Sequence, residues 1–222
     1  MGKICTLYKY CPLNEDLIKI IESNRLRMSD GINFNDPFDL VVANKNSMKQ
    51  EKIKGIRVLC LTNSYENKMM WAHYSDGHKG VCLTIELDNI DDIYPVIYTR
   101  ERVFTDTNIE EVIKRGTIKA KRNLKKSYDG LVRKKKIALL KSKSWMYECE
   151  YRIIEFPEDC HKDVYRDVNI KNVYLGVNVD SSSKDYNDLI ELCGIKNITV
   201  KQMEMSKKCY RIQYTNREGR RL

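Results

Sequence analysis

The sequence predicts an α+β fold in a single domain, and three observations carry that prediction. Short β-branched and aromatic runs recur along the chain, helical stretches fall between them without regular alternation, and 222 residues can bury one sizeable core without dividing. Regular strand–helix alternation would instead imply a doubly wound sheet. No internal repeat or low-complexity linker marks a boundary.

Taken in order, CTLYKY (5–10) reads as a strand. Asn14 then caps a helix with Glu15 and Asp16 in its first turn and Leu17, Ile20 and Ile21 on one face. DGINFNDPFD (30–39) is an ordered loop, because Pro37 biases Asp36 away from helix and the Asn35 and Asp36 side chains can bond neighbouring amides. RVLCLT (57–62) is a buried strand, MMWAHYS (69–75) a short helix or turn, and GVCLTIEL (80–87) a strand that Gly80 bounds. IYPVIY (93–98) reads as an edge strand, since Pro95 cannot donate to a ladder.

Helical propensity dominates from about Asn108 to Leu140, with Ile109, Val112, Ile113, Leu131, Ile137 and Leu140 as apolar markers and Gly130 as a break. We read this as a basic helical insertion over about 106–143. YECEYRIIEF (147–156) alternates as a strand, and VYLGVNV, a helix near 183–193, ITVKQMEM and CYRIQY supply a β-α-β-β ending.

Charge is unevenly spread. Residues 114–143 hold thirteen Lys or Arg against one acid, Asp129, a local net of +12 within a chain of net +9. A basic surface confined to one stretch suits an anionic partner such as nucleic acid, with Arg133, Lys134, Lys135 and Lys136 as its densest part. The plainer alternative is a solvated Lys-rich helix.

The eight cysteines form no CxxC pair, and several sit in apolar runs, as buried reduced thiols do. Cys160–His161 is the one adjacent soft-ligand pair and lacks a second pair at metal spacing, so no metal site is expected. MGKICTLYKY has no signal-peptide apolar run, and no segment approaches the roughly 20 apolar residues of a membrane span. A reducing cytoplasm and no membrane partner are the expectation.

In a strand over 147–156, Glu148, Glu150 and Arg152 would share one face while Cys149, Tyr151 and Ile153 point the other way. Carboxylates this close repel unless a cation or a substrate hydroxyl uses them, so these three residues are the catalytic candidates. Trp71, His73 and Tyr74 add an aromatic platform suited to a flat ring, with core packing as the alternative for Trp71.

The succession LYKY, FNDPFD, MMWAHYSDGHKGVCL, SWMYECEYRII and VYLGVNV resembles a widespread bacterial and phage family described as a domain of unknown function, from about Leu7 to Tyr214. That family in turn is similar to the ADP-ribosyltransferase fold of toxins that modify DNA bases. The resemblance implies a central, mainly antiparallel, split sheet flanked by helices, NAD as substrate, and a toxin or phage–host conflict setting. It also implies that Tyr8, Lys9 and Tyr10 of the opening strand, with Asn35, Asp36, His73 and Tyr74, hold the cofactor. Lys9 stands where such enzymes carry His or Arg. Glu150 of the Glu148-Cys149-Glu150 pattern would hold the ribose 2′-hydroxyl and offset charge on an oxocarbenium-like transition state.

Two readings of other classes compete. A metal-dependent nuclease would gather Asp36, Asp39, Glu148 and Glu150 about a divalent ion. A non-enzymatic nucleic-acid binder would use the basic segment alone.

Overall fold

The computed structural model describes residues 5–47, 49–120, 127–159 and 161–214. The chain opens with β1 (Cys5–Cys11), α1 (Glu15–Ser23), β2 (Arg25–Arg27), β3 (Val41–Ala43), β4 (Gln50–Lys52) and β5 (Arg57–Thr62). It continues with α2 (Lys68–Tyr74), β6 (Val81–Leu87), β7 (Ile93–Pro95), β8 (Ile97–Thr99), α3 (Ile109–Arg115), β9 (Thr117–Ile118), α4 (Arg133–Ile137) and β10 (Leu140–Ser142). A 3-10 helix (Lys143–Glu148), β11 (Glu150–Glu155), β12 (Tyr165–Asp167), β13 (Asn169–Leu175), α5 (Lys184–Ile195), β14 (Thr199–Met205) and β15 (Ile212–Tyr214) complete it. Helices and mostly antiparallel strands are mixed without regular alternation, an α+β architecture. The described residues form two compact units, and each draws on separated stretches of chain.

The first unit takes residues 26–63 and 88–166. At its centre β11 pairs antiparallel with β5, from Glu150↔Thr62 to Glu155↔Arg57, and with β7, from Tyr151↔Pro95 to Ile153↔Ile93. Pro95 lies on this outer strand, as its missing N–H requires. A second sheet runs β10-β8-β9, with β10 parallel to β8. Val96 and Ile97 carry the chain from one sheet to the other, their amides donating to the carbonyls of Glu150 and Leu139 at 2.9 and 2.8 Å. Leu40, Val58, Ile97, Val112, Leu139 and Ile154 meet in the core.

Two expectations are corrected in this unit. The stretch 108–140 is not one helical run: α3 stops at Gly116, and the β-branched Thr117–Ile118 pairs with β8. A Cβ on Gly116 would lie 2.2 Å from Ile97 Cγ2, so the close approach of α3's end to β8 needs glycine. Nor is 147–156 one strand. Residues Lys143–Glu148 coil into the 3-10 helix, Cys149 takes the left-handed conformation (φ 47°), and the strand begins only at Glu150.

The second unit takes residues 5–25, 64–87 and 167–214. Its strands run β15-β14-β13-β6-β1, antiparallel except for β13 with β14. Asn14 Oδ1 accepts the Leu17 amide and starts α1, as the sequence predicts; α1 buries Leu17 and Ile21 and packs on α5. Cross-strand pairing sorts the side chains onto two faces. Leu7, Lys9, Leu83, Ile85 and Val173 share one, and Tyr8, Tyr10, Cys82, Thr84, Asn172, Tyr174 and Lys201 share the other.

A tight turn follows α2, where Asp76, Gly77 and His78 all have positive φ (46°, 59° and 69°). It brings two glycines together. Gly176 N–H donates to Gly80 O at 2.9 Å, and a Cβ on Gly176 would sit 2.0 Å from His78 O. That neighbour is backbone and cannot rotate away. Gly176→Ala is therefore expected to lower stability by about 1–3 kcal/mol, the usual range for overpacking, while the exposed Gly194→Ala, inside α5, is neutral or stabilising. Chemical denaturation of both variants checks this.

Candidate functional site

The glutamates singled out in the sequence are buried, and they belong to a five-member charge network. Asp39, Lys141, Glu148, Glu150 and Arg152 are each less than a tenth exposed, Arg152 wholly buried. Arg152 uses every N–H of its guanidinium. Nε donates to Glu150 Oε1 (2.8 Å), Nη1 to Asp39 Oδ1 (2.8 Å) and Ala138 O (2.7 Å), and Nη2 to Asp39 Oδ2 (2.6 Å) and Glu150 Oε2 (3.1 Å). The Phe34 ring lies 5.6 Å from its charge centre.

FNDPFD thus reaches YECEYR at both ends, Phe34 stacking on Arg152 and Asp39 gripping it in a bidentate fork. These two motifs are one structural device.

Lys141 supplies the second cation. Its Nζ donates to Glu148 Oε2 and, at 2.9 Å, to Glu150 Oε2, with Asp39 Oδ2 at 3.7 Å and the Trp145 ring 5.4 Å away. Three carboxylates therefore converge on one ammonium. The left-handed turn at Cys149 is what permits this, because Glu148 approaches from the 3-10 helix and Glu150 from the strand. The two do not project side by side from one strand face, contrary to the sequence expectation.

Burial alone would raise the Glu150 carboxyl, but the adjacent Arg152 and Lys141 outweigh it and hold it far below the usual carboxylate range. Burial likewise opposes the charge on Lys141, and Glu150, Asp39 and Glu148 overcome it, so its pKa is raised. The network extends to backbone: Glu150 N–H donates to Tyr98 Oη at 2.8 Å, and Thr62 Oγ1 donates to Glu148 O at 2.5 Å. Both Glu150 oxygens are bonded to cations, and the network of three carboxylates and two cations ties β10 and β11 to the 30–39 loop.

The nuclease set divides. Asp39, Glu148 and Glu150 meet, but at the Lys141 ammonium, whereas Asp36 turns back to accept the Phe38 amide at 2.9 Å. Among the described residues no group of three or more His, Cys, Asp or Glu is placed to hold a metal ion. The Cys160–His161 pair includes Cys160, which lies outside the described residues.

The residues expected to hold the cofactor are divided between the two units. Asn35 is exposed and Asp36 buried in the loop of the first unit. In the second unit Tyr8 and Tyr10 share a sheet face, and Lys9 lies on the opposite, apolar face beside Leu83. His73 is exposed on α2 next to Tyr74, and Trp71 is core, fully buried against Tyr10 with ring centroids 5.2 Å apart.

What the sequence did not reveal is a tyrosine cluster on the Tyr8 face. Tyr65 and Tyr174 stack at 4.3 Å with an interplanar angle of 3°. Tyr8 and Tyr214 flank the pair, 5.3 and 5.9 Å from Tyr65, and Lys201 Nζ sits 4.6 Å from the Tyr214 centroid and 5.4 Å from that of Tyr174. Two hydrogen bonds fix Tyr65 in place, from Trp71 Nε1 to Tyr65 O (2.7 Å) and from Tyr10 Oη to Ser64 O (3.0 Å). Tyr8, Tyr65 and Tyr214 remain half-buried. Burial, then the nearby Glu66, pushes the Tyr65 phenol up to about 12.

Much of the basic run is engaged internally. Arg133 donates to the carbonyls of Phe104, Thr105 and Thr107, and buried Lys136 bonds Glu110 Oε1 at 2.5 Å. Lys135 lies 4.8 Å over the Tyr94 ring, its pKa lowered by burial. Lys134 is exposed, while residues 121–126 of the run lie outside the described residues. Lys136→Gln is therefore expected to cost about 1 kcal/mol and Lys134→Gln to stay within about 0.5 kcal/mol of wild type, measured by urea unfolding.

The model of a family described as a protein of unknown function (DUF2971) matches residues 70–153. This stretch holds Trp71, His73, Tyr74, Lys141, Glu148, Glu150 and Arg152, whereas LYKY, FNDPFD and VYLGVNV fall outside it. No curated protein and no solved structure matches the chain. No helix among the described residues is long and apolar enough to cross a membrane.

Proposed function

We propose that the protein binds a dinucleotide of the NAD class through the Tyr8–Tyr65–Tyr174–Tyr214 cluster and acts as an ADP-ribosyltransferase-like enzyme. The observation that carries this reading is the stacked tyrosine pair with half-buried tyrosines on either side and a lysine at its edge. Flat rings stack on such platforms for about 1–3 kcal/mol each. The Glu-Cys-Glu pattern supports the choice of reaction, in which the nicotinamide–ribose bond breaks, nicotinamide departs with the bonding electron pair, and an acceptor hydroxyl, base nitrogen or water bonds to the ribose carbon and loses a proton. In this reading Glu150 is the catalytic member of that pattern, as the sequence resemblance implies.

Calorimetric titration with NAD, alongside assay of released nicotinamide, tests it. Tyr8→Ala is expected to weaken NAD binding about tenfold, read at a temperature where its unfolding curve shows the variant folded. No binding heat and no nicotinamide release from the wild-type protein at millimolar NAD would overturn the proposal.

A nucleic-acid acceptor is favoured by the net charge of +9 and by exposed Lys134. Oligonucleotide binding that weakens steeply with salt is its expected sign, because neutralised phosphates release counterions. Binding indifferent to salt points to a protein or water acceptor.

A further inference from the structure

An ammonium already occupies the ring cluster. Lys201 projects from β14 on the tyrosine face and approaches Tyr214 and Tyr174, whose centroids are 5.6 Å apart at an interplanar angle of 53°. Among the described residues its partners are rings rather than carboxylates. The faces of aromatic rings carry negative potential, so two inclined faces form a receptacle for positive charge, as in the aromatic cages that take quaternary ammonium groups. Glu66 adds to the negative field beside Tyr8 and Tyr65.

We propose that the tyrosine cluster is a site for an organic cation and that Lys201 is its resident occupant, an internal competitor that withdraws when an external cation is seated. The unbranched four-carbon stem of lysine allows the ammonium to swing out to water without moving β14. A neutral ring gains nothing from this potential, whereas a pyridinium ring, cationic in oxidised nicotinamide dinucleotides, takes the position that the ammonium leaves. The identity of the physiological ligand rests on the NAD-class reading; the preference for positive charge rests on the cage alone.

The test uses the full chain and three probes: N-methylnicotinamide methylated at the ring nitrogen, a pyridinium cation; nicotinamide, its neutral counterpart; and NAD. Binding is followed by tyrosine fluorescence, with thermal unfolding as the control for fold. Lys201→Met keeps the stem and removes the charge. It is expected to tighten N-methylnicotinamide binding about three- to thirtyfold, the span of single cation–π contacts, and to leave nicotinamide unchanged. Lys201→Gln, polar and neutral, should reproduce the gain if the methionine variant is less stable. Unchanged affinity for the cation in both variants overturns the inference. So does weaker NAD binding without a gain for the cation, which would make Lys201 a phosphate contact and leave the NAD reading standing. A gain for N-methylnicotinamide with no NAD binding to either protein upholds the cation site and removes the NAD reading.

Discussion

Arg152→Met is expected to cost about 3–5 kcal/mol, the penalty for removing one partner from a buried ion pair, out of a total stability that for most domains is about 5–15 kcal/mol. The substitution removes the bidentate partner of Asp39, leaving it only Lys141 Nζ at 3.7 Å, and leaves Glu150 with Lys141 alone. It also strands the Ala138 carbonyl that Nη1 satisfies. Arg152→Lys restores the charge but not the geometry. A lysine presents three donors from one atom, and these cannot reach both oxygens of Asp39, both of Glu150 and a carbonyl at once. That variant should still lose about 2 kcal/mol. Urea unfolding of both proteins decides the matter; a loss below about 1 kcal/mol for Arg152→Met would contradict the role assigned to the network. The same argument makes Glu150→Gln a stability variant, so loss of any activity in it has meaning only beside its unfolding curve.

Lys141→Met should alter the acid response as well as the stability. In the wild type, Glu150 is held below the range of an unfolded carboxylate, about 4.3. Its contribution is present above that pH and is lost as the pH falls toward the depressed folded value, because the unfolded chain then binds the proton first. With Lys141 removed, Glu150 keeps Arg152 alone against its burial and the two neighbouring carboxylates, and its carboxyl is expected to move upward, past the unfolded value. A group shifted upward destabilises at neutral pH and is relieved as the pH drops through its folded value. The variant is therefore expected to be about 3–5 kcal/mol less stable at pH 7, with the gap to wild type narrowing toward about pH 5. Urea midpoints at pH 7, 6 and 5 measure this. A gap that stays constant or widens on acidification would show that the carboxylates do not share Lys141.

Local patterns in the sequence carried the elements whose signals are local. The Asn14 cap, the Asx turn at Asp36, the outer position of Pro95 and the strands at 57–62 and 81–87 all follow from neighbours within a few residues. The strand extrapolated back to Tyr147 failed because alternation of residue types does not encode a single left-handed residue, and Cys149 is not a type that announces one. The charge network was half legible: Glu148, Glu150 and Arg152 stand together in sequence, but Asp39 and Lys141 arrive from the 30–39 loop and from β10, at separations no periodicity reports. The tyrosine cluster was least legible of all. Tyr8, Tyr65, Tyr174, Lys201 and Tyr214 come from five separate places in the chain, and only the strand order puts them on one face.

The interleaving of the two units has a practical consequence for any fragment. The family match, residues 70–153, begins at α2 of one unit and ends within β11 of the other. A recombinant piece cut to those limits would carry β6 stripped of both its ladder partners, β1 and β13, and β11 stripped of β5. Each orphaned strand would present a bare hydrogen-bonding edge flanked by apolar side chains, the recipe for self-association rather than a soluble fragment. Because each unit is stitched from stretches far apart in the gene, a single stop codon or protease nick cannot release either one whole; only co-expressed pieces that rejoin would restore it.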